Sequence, residues 1–584
     1  QYACCTRQSH RRIKVRMMKF TNYMISASRN IYKNKLFSAI NILGLAVGFA
    51  TCILIMLFIK DELSYDKWIK DSGNIFRLEL TSFPPGSPPY QLAATMGPLI
   101  PFIRQDFPEV VSAARLVYET RNVRMNNDYF SEEVAYVDSN FFQIFDLPIA
   151  HGTIAQEFND PSSIIISEEM ATKYFGEKDV VGKSLSLSNG RDYRVEAVLK
   201  DLPSNTHFEL DMVIPISYSE FPKGDGDESE SMLDNWFDIG TYIYIKLDDP
   251  AAQASMERKF PDFLDRRGPR PNDQTIPHER WNLHLMPLED IHLKGAARAR
   301  INPKGNITTI ISFALIALMI LIIACFNFMN LSTARASLRA REVALRKVLG
   351  AQRQDIIVQF LSEAALMAFT AFLVSLVLVE IALPYYAILI DKVMGIGALH
   401  SPITMGVLII LTLLVALGAG AHPAFIMSSF RPTRILGSGK SESVGSIKFR
   451  TFLVIIQFAI CISLIVSALV VYSQLNYSLD RDAGFEKENL IVLNRISDPL
   501  IGNKATILKN RLLTHPDVVA ATLTSSVPAD RMVALIGFGN VGGNEVDPIL
   551  LRLQSIDQDY ITTYGIDMIS GRNLSLDRGD DVSI

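Results

Sequence analysis

Three short stretches carry residues at the spacing of familiar chemistry. GSGKS (437–441) sets a lysine and a serine behind a glycine, as a phosphate-cradling loop does. That loop also needs a glycine five positions before Gly439, and Arg434 stands there, with no apolar strand leading in. A linker is therefore expected. GFGNVG (537–542) has the glycine spacing of a dinucleotide-binding turn and follows MVALI, but the GNEVDP after it cannot open the required helix, so a hairpin turn is expected. GDGDESESMLD (224–234) begins like a calcium loop with Asp225 and Asp227, yet Glu230 occupies the position of the turn glycine, which predicts a solvated loop. The cysteines Cys4, Cys5, Cys52, Cys325 and Cys461 have no zinc-site spacing. No nucleophile triad or carboxylate pair stands out, so the chain offers no enzyme site of its own.

A fourth stretch has the chemistry of recognition rather than catalysis. RAREVALRKVLGAQRQD runs from Arg339 to Asp355. From Leu338, the apolar residues Leu345, Val348 and Leu349 return at helical spacing, with Arg339, Arg346 and Lys347 off that face. Gly350–Ala351 can close the helix. Asp355 then falls in the first turn of a second helix that runs on through IIVQFLSEAAL. Such an amphipathic segment either lies on anionic lipid or docks a cytoplasmic protein.

The elements that must position this stretch are apolar. The 584 residues are 49% hydrophobic, with a mean hydropathy of +0.19. The net charge of −4 gives nucleic-acid binding no global support. A membrane helix needs about 20 mostly apolar residues. Five runs qualify: 36–59, 307–334, 364–390 (interrupted only by Glu380), 401–430 (where His422 is the one ionisable group) and 451–479. The flanks set orientation through the excess of positive charge on the cytoplasmic side. Residues 1–35 carry nine Lys/Arg and no acid, 335–353 carry six against Glu342, and 431–450 carry five against Glu442. All three segments fall on one side, so the N-terminus is expected in the cytoplasm and residues 60–306 and 480–584 outside it. The first run reads as a signal anchor rather than a cleaved peptide, with the natural start expected at Met17 or Met18.

The expected organisation follows: a basic N-terminal segment (1–35), span 1 (36–59), an outside domain (60–306), span 2 (307–334), a cytoplasmic coupling segment (335–363), spans 3 and 4 (364–430), a cytoplasmic linker (431–450), span 5 (451–479) and a second outside domain (480–584). Mixed strand and helix signals make the outside domains α+β: SSIIISEEMATKYFG reads as strand then helix, and DYRVEAVLKDLP and TYIYIKL alternate as strands.

The chain also repeats itself. VDSNFFQIFDLPIAHGT (137–153) aligns without a gap on IDQDYITTYGIDMISGR (556–572), matching Asp138 to Asp557, Phe141 to Tyr560, Phe145 to Tyr564 and Gly152 to Gly571. The second unit reaches Ile584 about where the first reads SSIII. The expectation is of a truncated chain whose remainder completes this domain and adds three helices, eight in all. Within the bundle, Gly44 and Gly48 form a small-xxx-small pair suited to close helix packing. Asn327, Asn330 and Gln457 read as interhelical hydrogen-bonders, and Glu380 as a group near the outer helix end.

NKLFSAINILGLAVGFATCILIMLFIKDELSYDKW, VDSNFFQIFDLPIAHG, RAREVALRKVLGAQRQDIIVQFLSEA and GAHPAFIMSSFRPTRIL, in this order, resemble segments of FtsX/MacB-like ABC transporter permeases, in the long, internally duplicated form common in Bacteroidetes-type bacteria. An aromatic residue is usual in that family where this chain has His422. The resemblance implies an α-helical transmembrane bundle with α+β, MacB-like extracytoplasmic core domains, placed in a bacterial inner membrane. It implies a cytoplasmic nucleotide-binding ATPase, acting as a dimer, as a separate partner that binds ATP and Mg; no cofactor is expected in this chain. The family's cytoplasmic segment docks on that ATPase, which places Arg339, Glu342, Arg346, Lys347, Gly350 and Ala351 at the coupling contact. Membrane lipids and an envelope or outer-membrane component are the other implied partners. The implied role is export or extraction of a lipophilic, peptide or lipoprotein cargo; the alternatives are an FtsX-type mechanotransmitting regulator of an envelope enzyme and a membrane-anchored scaffold.

Overall fold

A computed structural model of the chain describes residues 25–575, apart from 85–87, 126–127, 156, 188–189, 219–220, 222–230, 271–275, 297–304, 391–400, 430–443, 494–503, 529–533 and 539–548. The acidic 222–230 stretch, the GSGKS linker and the 391–400 turn lie outside the described residues. The structure divides into a helical unit (residues 1–63 and 306–479) and a second unit (64–305 and 480–584).

Among the described residues, five helices are long and apolar enough to cross a membrane. They are Lys35–Glu62, Ile307–Val348, Arg353–Ile390, Pro402–Ser429 and Val444–Asp480. The first span packs against the second and third, and the third against the fourth. Leu45, Phe49, Ile53, Phe328, Phe372 and Val379 fill the seam between them. Small residues let the backbones approach. A Cβ on Gly48 would stand 3.0 Å from Ala324 Cβ, and one on Gly44 would stand 3.4 Å from Asn327 Nδ2. The tightest of these approaches is at Gly420 of the fourth span, where a Cβ would come within 2.6 Å of Ala364 Cβ. The fifth span rests lightly on the others. Asn330 Nδ2 donates to Gln457 Oε1 at 3.5 Å, and His422 stacks on Phe449 at 4.1 Å between ring centres. Glu380 is exposed on the third span.

Residues 64–305 form an α+β domain on one mixed sheet. Its strands are β1 (Ile75–Ser82), β2 (Tyr90–Leu92), β3 (Thr95–Met96), β4 (Val110–Met125), β5 (Asp128–Val137), β6 (Ile149–Gly152), β7 (Ser163–Ser167), β8 (Ser184–Leu187), β9 (Asp192–Leu199), β10 (Met212–Pro215), β11 (Ile239–Leu247) and β12 (Trp281–Pro287). The main path runs β12-β1-β11-β4-β5-β10-β7-β9-β6. Parallel pairings join β10 to β5 and β7 to β9, while the long β4–β5 ribbon is antiparallel. SSIIISEEMATKYFG becomes β7 followed by helix Glu168–Phe175. Ser167 caps that helix by accepting from the Met170 amide, and Gly176 ends it with a φ of 76°. Strand β9 alternates exposed and buried residues before becoming fully buried. Aromatic side chains make much of the core: Phe145 meets Phe208 and Tyr244 edge-on, at 4.7 and 5.2 Å.

Residues 480–584 carry a smaller set of described elements: helix Ala505–Leu512, an antiparallel pair Ala534–Phe538 and Ile549–Leu553, and helical turn Tyr560–Thr563. Gly537 and Phe538 of GFGNVG lie inside a strand, paired with Leu550 and Ile549; residues 539–542, and with them the expected hairpin turn, lie outside the described residues.

Candidate functional site: a riveted helical hairpin

The second span does not stop where its apolar run ends. Helix Ile307–Val348 has 42 residues, about 63 Å at 1.5 Å per residue. The apolar part, Ile307–Ala334, takes 28 of them. Residues 335–348 thus continue the helix for about 21 Å beyond the apolar run. A rod that continues its span stands off from the bilayer rather than lying along it. Leu349 closes the helix, Gly350 turns the chain with a φ of 97°, and the Ala351 amide returns to Arg346 O at 3.0 Å. Two residues later helix Arg353–Ile390 begins, with the Gln352 amide donating to Asp355 Oδ2 at 3.2 Å. The result is a helical hairpin.

Arg339, Arg346 and Lys347 bond back into the bundle. Arg339 grips Glu363 with a two-pronged contact, Nη1 to Oε2 at 2.7 Å and Nη2 to Oε1 at 2.9 Å; Glu363 is only 4% exposed. Burial works against the Arg339 charge, but Glu363 and Glu342 outweigh it and raise the guanidinium above its ordinary range. Arg346 pairs with Glu342 at 2.8 Å along its own helix and donates across the hairpin to Gln359. Lys347 donates to Ser428 O at 2.6 Å and Arg353 reaches Ser428 Oγ at 3.4 Å, so the end of the fourth span is bound in as well. Burial and the neighbouring Arg353 hold the Lys347 ammonium below its ordinary range. Val343, Ile356 and Met427 close the small apolar core beneath.

The apolar stripe faces the other way. Leu345, Val348 and Leu349 are 58%, 62% and 79% exposed. Sequence periodicity finds this stripe but not its orientation. Of the residues expected at the coupling contact, Arg339, Arg346 and Lys347 are engaged within the chain; Glu342 pairs with Arg346 and Arg339 while remaining half exposed. Gly350 has open space around it. The partners Gln359, Glu363 and Ser428 lie 13, 24 and 81 positions from the residues they hold. No local pattern could have revealed those pairings. The geometry supports protein recognition: a firm scaffold presenting three bare aliphatic side chains at its tip. Among the described residues no group of histidines, cysteines and acids could hold a metal.

Comparison with known proteins places this hairpin in context. Residues 38–262 match the family model of the MacB-like periplasmic core domain, and residues 314–432, which contain the hairpin, match that of the FtsX-like permease C-terminal region. The macrolide export ATP-binding/permease protein MacB of Escherichia coli strain K12 is 22% identical over 356 residues, 59% of this chain and 50% of that protein. The Shigella flexneri MacB matches to the same extent. The chain thus spans about half the length of the curated relatives it matches. Among solved structures, the periplasmic region of MacB from Actinobacillus actinomycetemcomitans is similar over 37% of this chain and 90% of its own, at 14% identity and a TM-score of 0.26. The extracellular domain of the noncanonic ABC-type transporter YknZ from Gram-positive bacteria covers 35% and 98%, at 18% identity and a TM-score of 0.25. With five candidate membrane helices among the described residues, a MacB-like core domain after the first and an FtsX-like domain around the hairpin, the chain belongs to the FtsX/MacB-like family of ABC transporter permeases.

Proposed function

We propose that this chain is a permease subunit that couples ATP hydrolysis by a separate cytoplasmic ATPase to movement of its extracytoplasmic core domains, for export or extraction of a lipophilic, peptide or lipoprotein cargo. The observation that carries the reading is the hairpin tip, where Leu345, Val348 and Leu349 stand bare on a scaffold held by Arg339–Glu363, Arg346–Gln359 and Lys347–Ser428. Exposed aliphatics on a rigid support are what a partner groove takes up. The ATPase, as a dimer, binds ATP and Mg and grips the tip around Leu349, Gly350 and Ala351, with Glu342 at the rim. Arg339, Arg346 and Lys347 act by holding the tip in place. The basic flanks support a reading in which this side of the bundle faces the cytoplasm of a bacterial inner membrane and the core domains face the periplasm, where an envelope or outer-membrane component can meet them. A regulator that moves no cargo would use the same tip.

The test substitutes the tip without touching its supports. Leu349→Asp adds a charge at a 79% exposed position and should lower ATPase co-purification about tenfold or more while membrane insertion is unchanged. Undiminished co-purification and ATP turnover would rule out the tip as the contact. Arg346→Glu is less clean, since it also breaks the bonds to Glu342 and Gln359. Accumulation of a cargo on deletion separates transport from regulation.

A further inference from the structure

The carboxylate that holds the hairpin also holds a third piece of the chain. Helical residues 25–33 lead through Asn34 into the first span. Asn30 Nδ2 donates to Glu363 Oε2 at 3.2 Å. Asn30 is itself held by Asn34, whose Nδ2 donates to Asn30 Oδ1 at 2.7 Å and to Asn30 O at 3.1 Å. Glu363 thus accepts from Arg339 on the arm leaving the second span and from Asn30 ahead of the first span, while sitting on the third. The Arg339 guanidinium also lies 4.8 Å over the Phe360 ring. A cavity of about 50 Å³ opens beside the group, lined by Asn30, Asn34, Arg339 and Glu363 and by apolar residues such as Phe328, Phe360 and Met367. Water needs about 10–15 Å³ of such space, so the cavity has room for water beside the knot.

A buried carboxylate carries a desolvation cost, and well-packed apolar residues serve stability as well or better. What the fork adds is direction. Two parallel bonds fix the angle between Arg339 and the third span, not only their separation. We propose that Glu363 is a positioning residue for coupling, locking the hairpin tip and residues 25–34 into one body, so that a push on the tip is delivered to the start of the first span. This role rests on the reading of the tip as the ATPase contact, and its test is built to fail separately from that reading.

In the full chain, with its five cysteines replaced by serine, spin labels at Tyr32→Cys and Leu349→Cys report the distance between the two segments; these positions are 75% and 79% exposed. Glu363→Gln keeps the shape of the side chain and removes its charge. It should widen the distance distribution about twofold, and Arg339→Lys, which keeps the charge but loses the fork, should do the same. The double exchange Arg339→Glu with Glu363→Arg should narrow it again. In the native-cysteine chain, Glu363→Gln should reduce ATPase stimulation about tenfold with partner affinity kept within about twofold, a split that general destabilisation does not produce. An unchanged distribution in folded Glu363→Gln protein overturns the proposal. If Leu349→Asp leaves ATPase binding intact, the docking reading fails instead, and the distance measurement still decides whether Glu363 is the lock.

Discussion

The repeated turn of the two core regions has one frame and two charge partners. In the first copy, Asp138 accepts the Arg115 amide at 2.8 Å and its own amide donates to Arg115 O at 3.2 Å. In the second, Asp557 accepts the Leu523 amide at 2.9 Å and its amide donates to Leu523 O at 3.2 Å. The aromatic pairs match as well: Phe141 and Phe145 lie 4.8 Å apart, and so do Tyr560 and Tyr564. The second copy adds a bond from the Thr522 hydroxyl, and the counter-charge has moved. Arg115 supplies it from the same residue that gives the amide, with Nη2 at 2.9 Å from Asp138. Leucine cannot, so Lys509 reaches over from helix Ala505–Leu512 to Asp557 at 2.6 Å and also holds Asp559. The backbone clasp and the aromatic step define the motif; the cation that neutralises its aspartate can come from any element within reach.

That difference makes unequal predictions. Asp138→Ala removes the carboxylate from a guanidinium whose side chain is 9% exposed and leaves it the neutral Tyr218 hydroxyl, and should destabilise the first core domain by about 3 kcal/mol, read as a shift in the urea midpoint for protease cleavage within 64–305. Gly152→Ala comes next. Gly152 has a φ of 80° and its Cβ would fall 2.5 Å from Glu196 O, so the cost should exceed the roughly 1–2 kcal/mol of a left-handed residue alone. Asp557→Ala should cost about 1–3 kcal/mol in the second region, because Lys509 keeps Asp559. Gly571→Ala should cost only the left-handed term, about 1–2 kcal/mol, since nothing lies within 4 Å of its Cβ. Equal losses for the two glycines would break the comparison.

The smallest effect is in pH. Burial pushes the Asp557 carboxyl up, but bonds from Lys509, Thr522 and the Leu523 amide outweigh it and hold its pKa below the usual 3.8. Its contribution is therefore present above about pH 3.8 and lost as pH falls through the lower folded value. Burial pulls Lys509 down, while Asp557 and Asp559 raise it above 10.5. Its contribution is full below about pH 10.5 and lost as pH rises through the folded value. Protection against hydrogen exchange at 505–512 and 556–564, taken relative to the intrinsic rate at each pH, should stay flat between these limits and fall outside them; a transition near neutrality would contradict the assignment.

The same contrast separates what was legible in the sequence from what was not. The five spans, the strand-then-helix of SSIIISEEMATKYFG and the Asp138/Asp557 alignment all rest on local pattern, and local pattern survives folding. Arg115 and Lys509 occupy unrelated places in the chain, so no alignment of the two copies pairs them. The hairpin shows the same limit. Helical spacing sorted Leu345, Val348 and Leu349 from Arg339, Arg346 and Lys347, yet in a bundle either face can be the inner one. The choice was made by Glu363, Gln359 and Ser428, which offer bonds to the cations and none to the leucines. The tight meeting of Gly420 with Ala364 was equally silent, since one glycine in an apolar run resembles any other.

The central claim is that nucleotide at the partner ATPase moves the hairpin tip and, through the bundle, the core domains. Hydrogen exchange of the full chain in complex with its ATPase, with and without a non-hydrolysable ATP, tests it most directly. The account predicts that nucleotide slows exchange at residues 344–351 and alters it at 64–66, where the first core domain begins. Bound nucleotide that leaves exchange in both segments unchanged would contradict it.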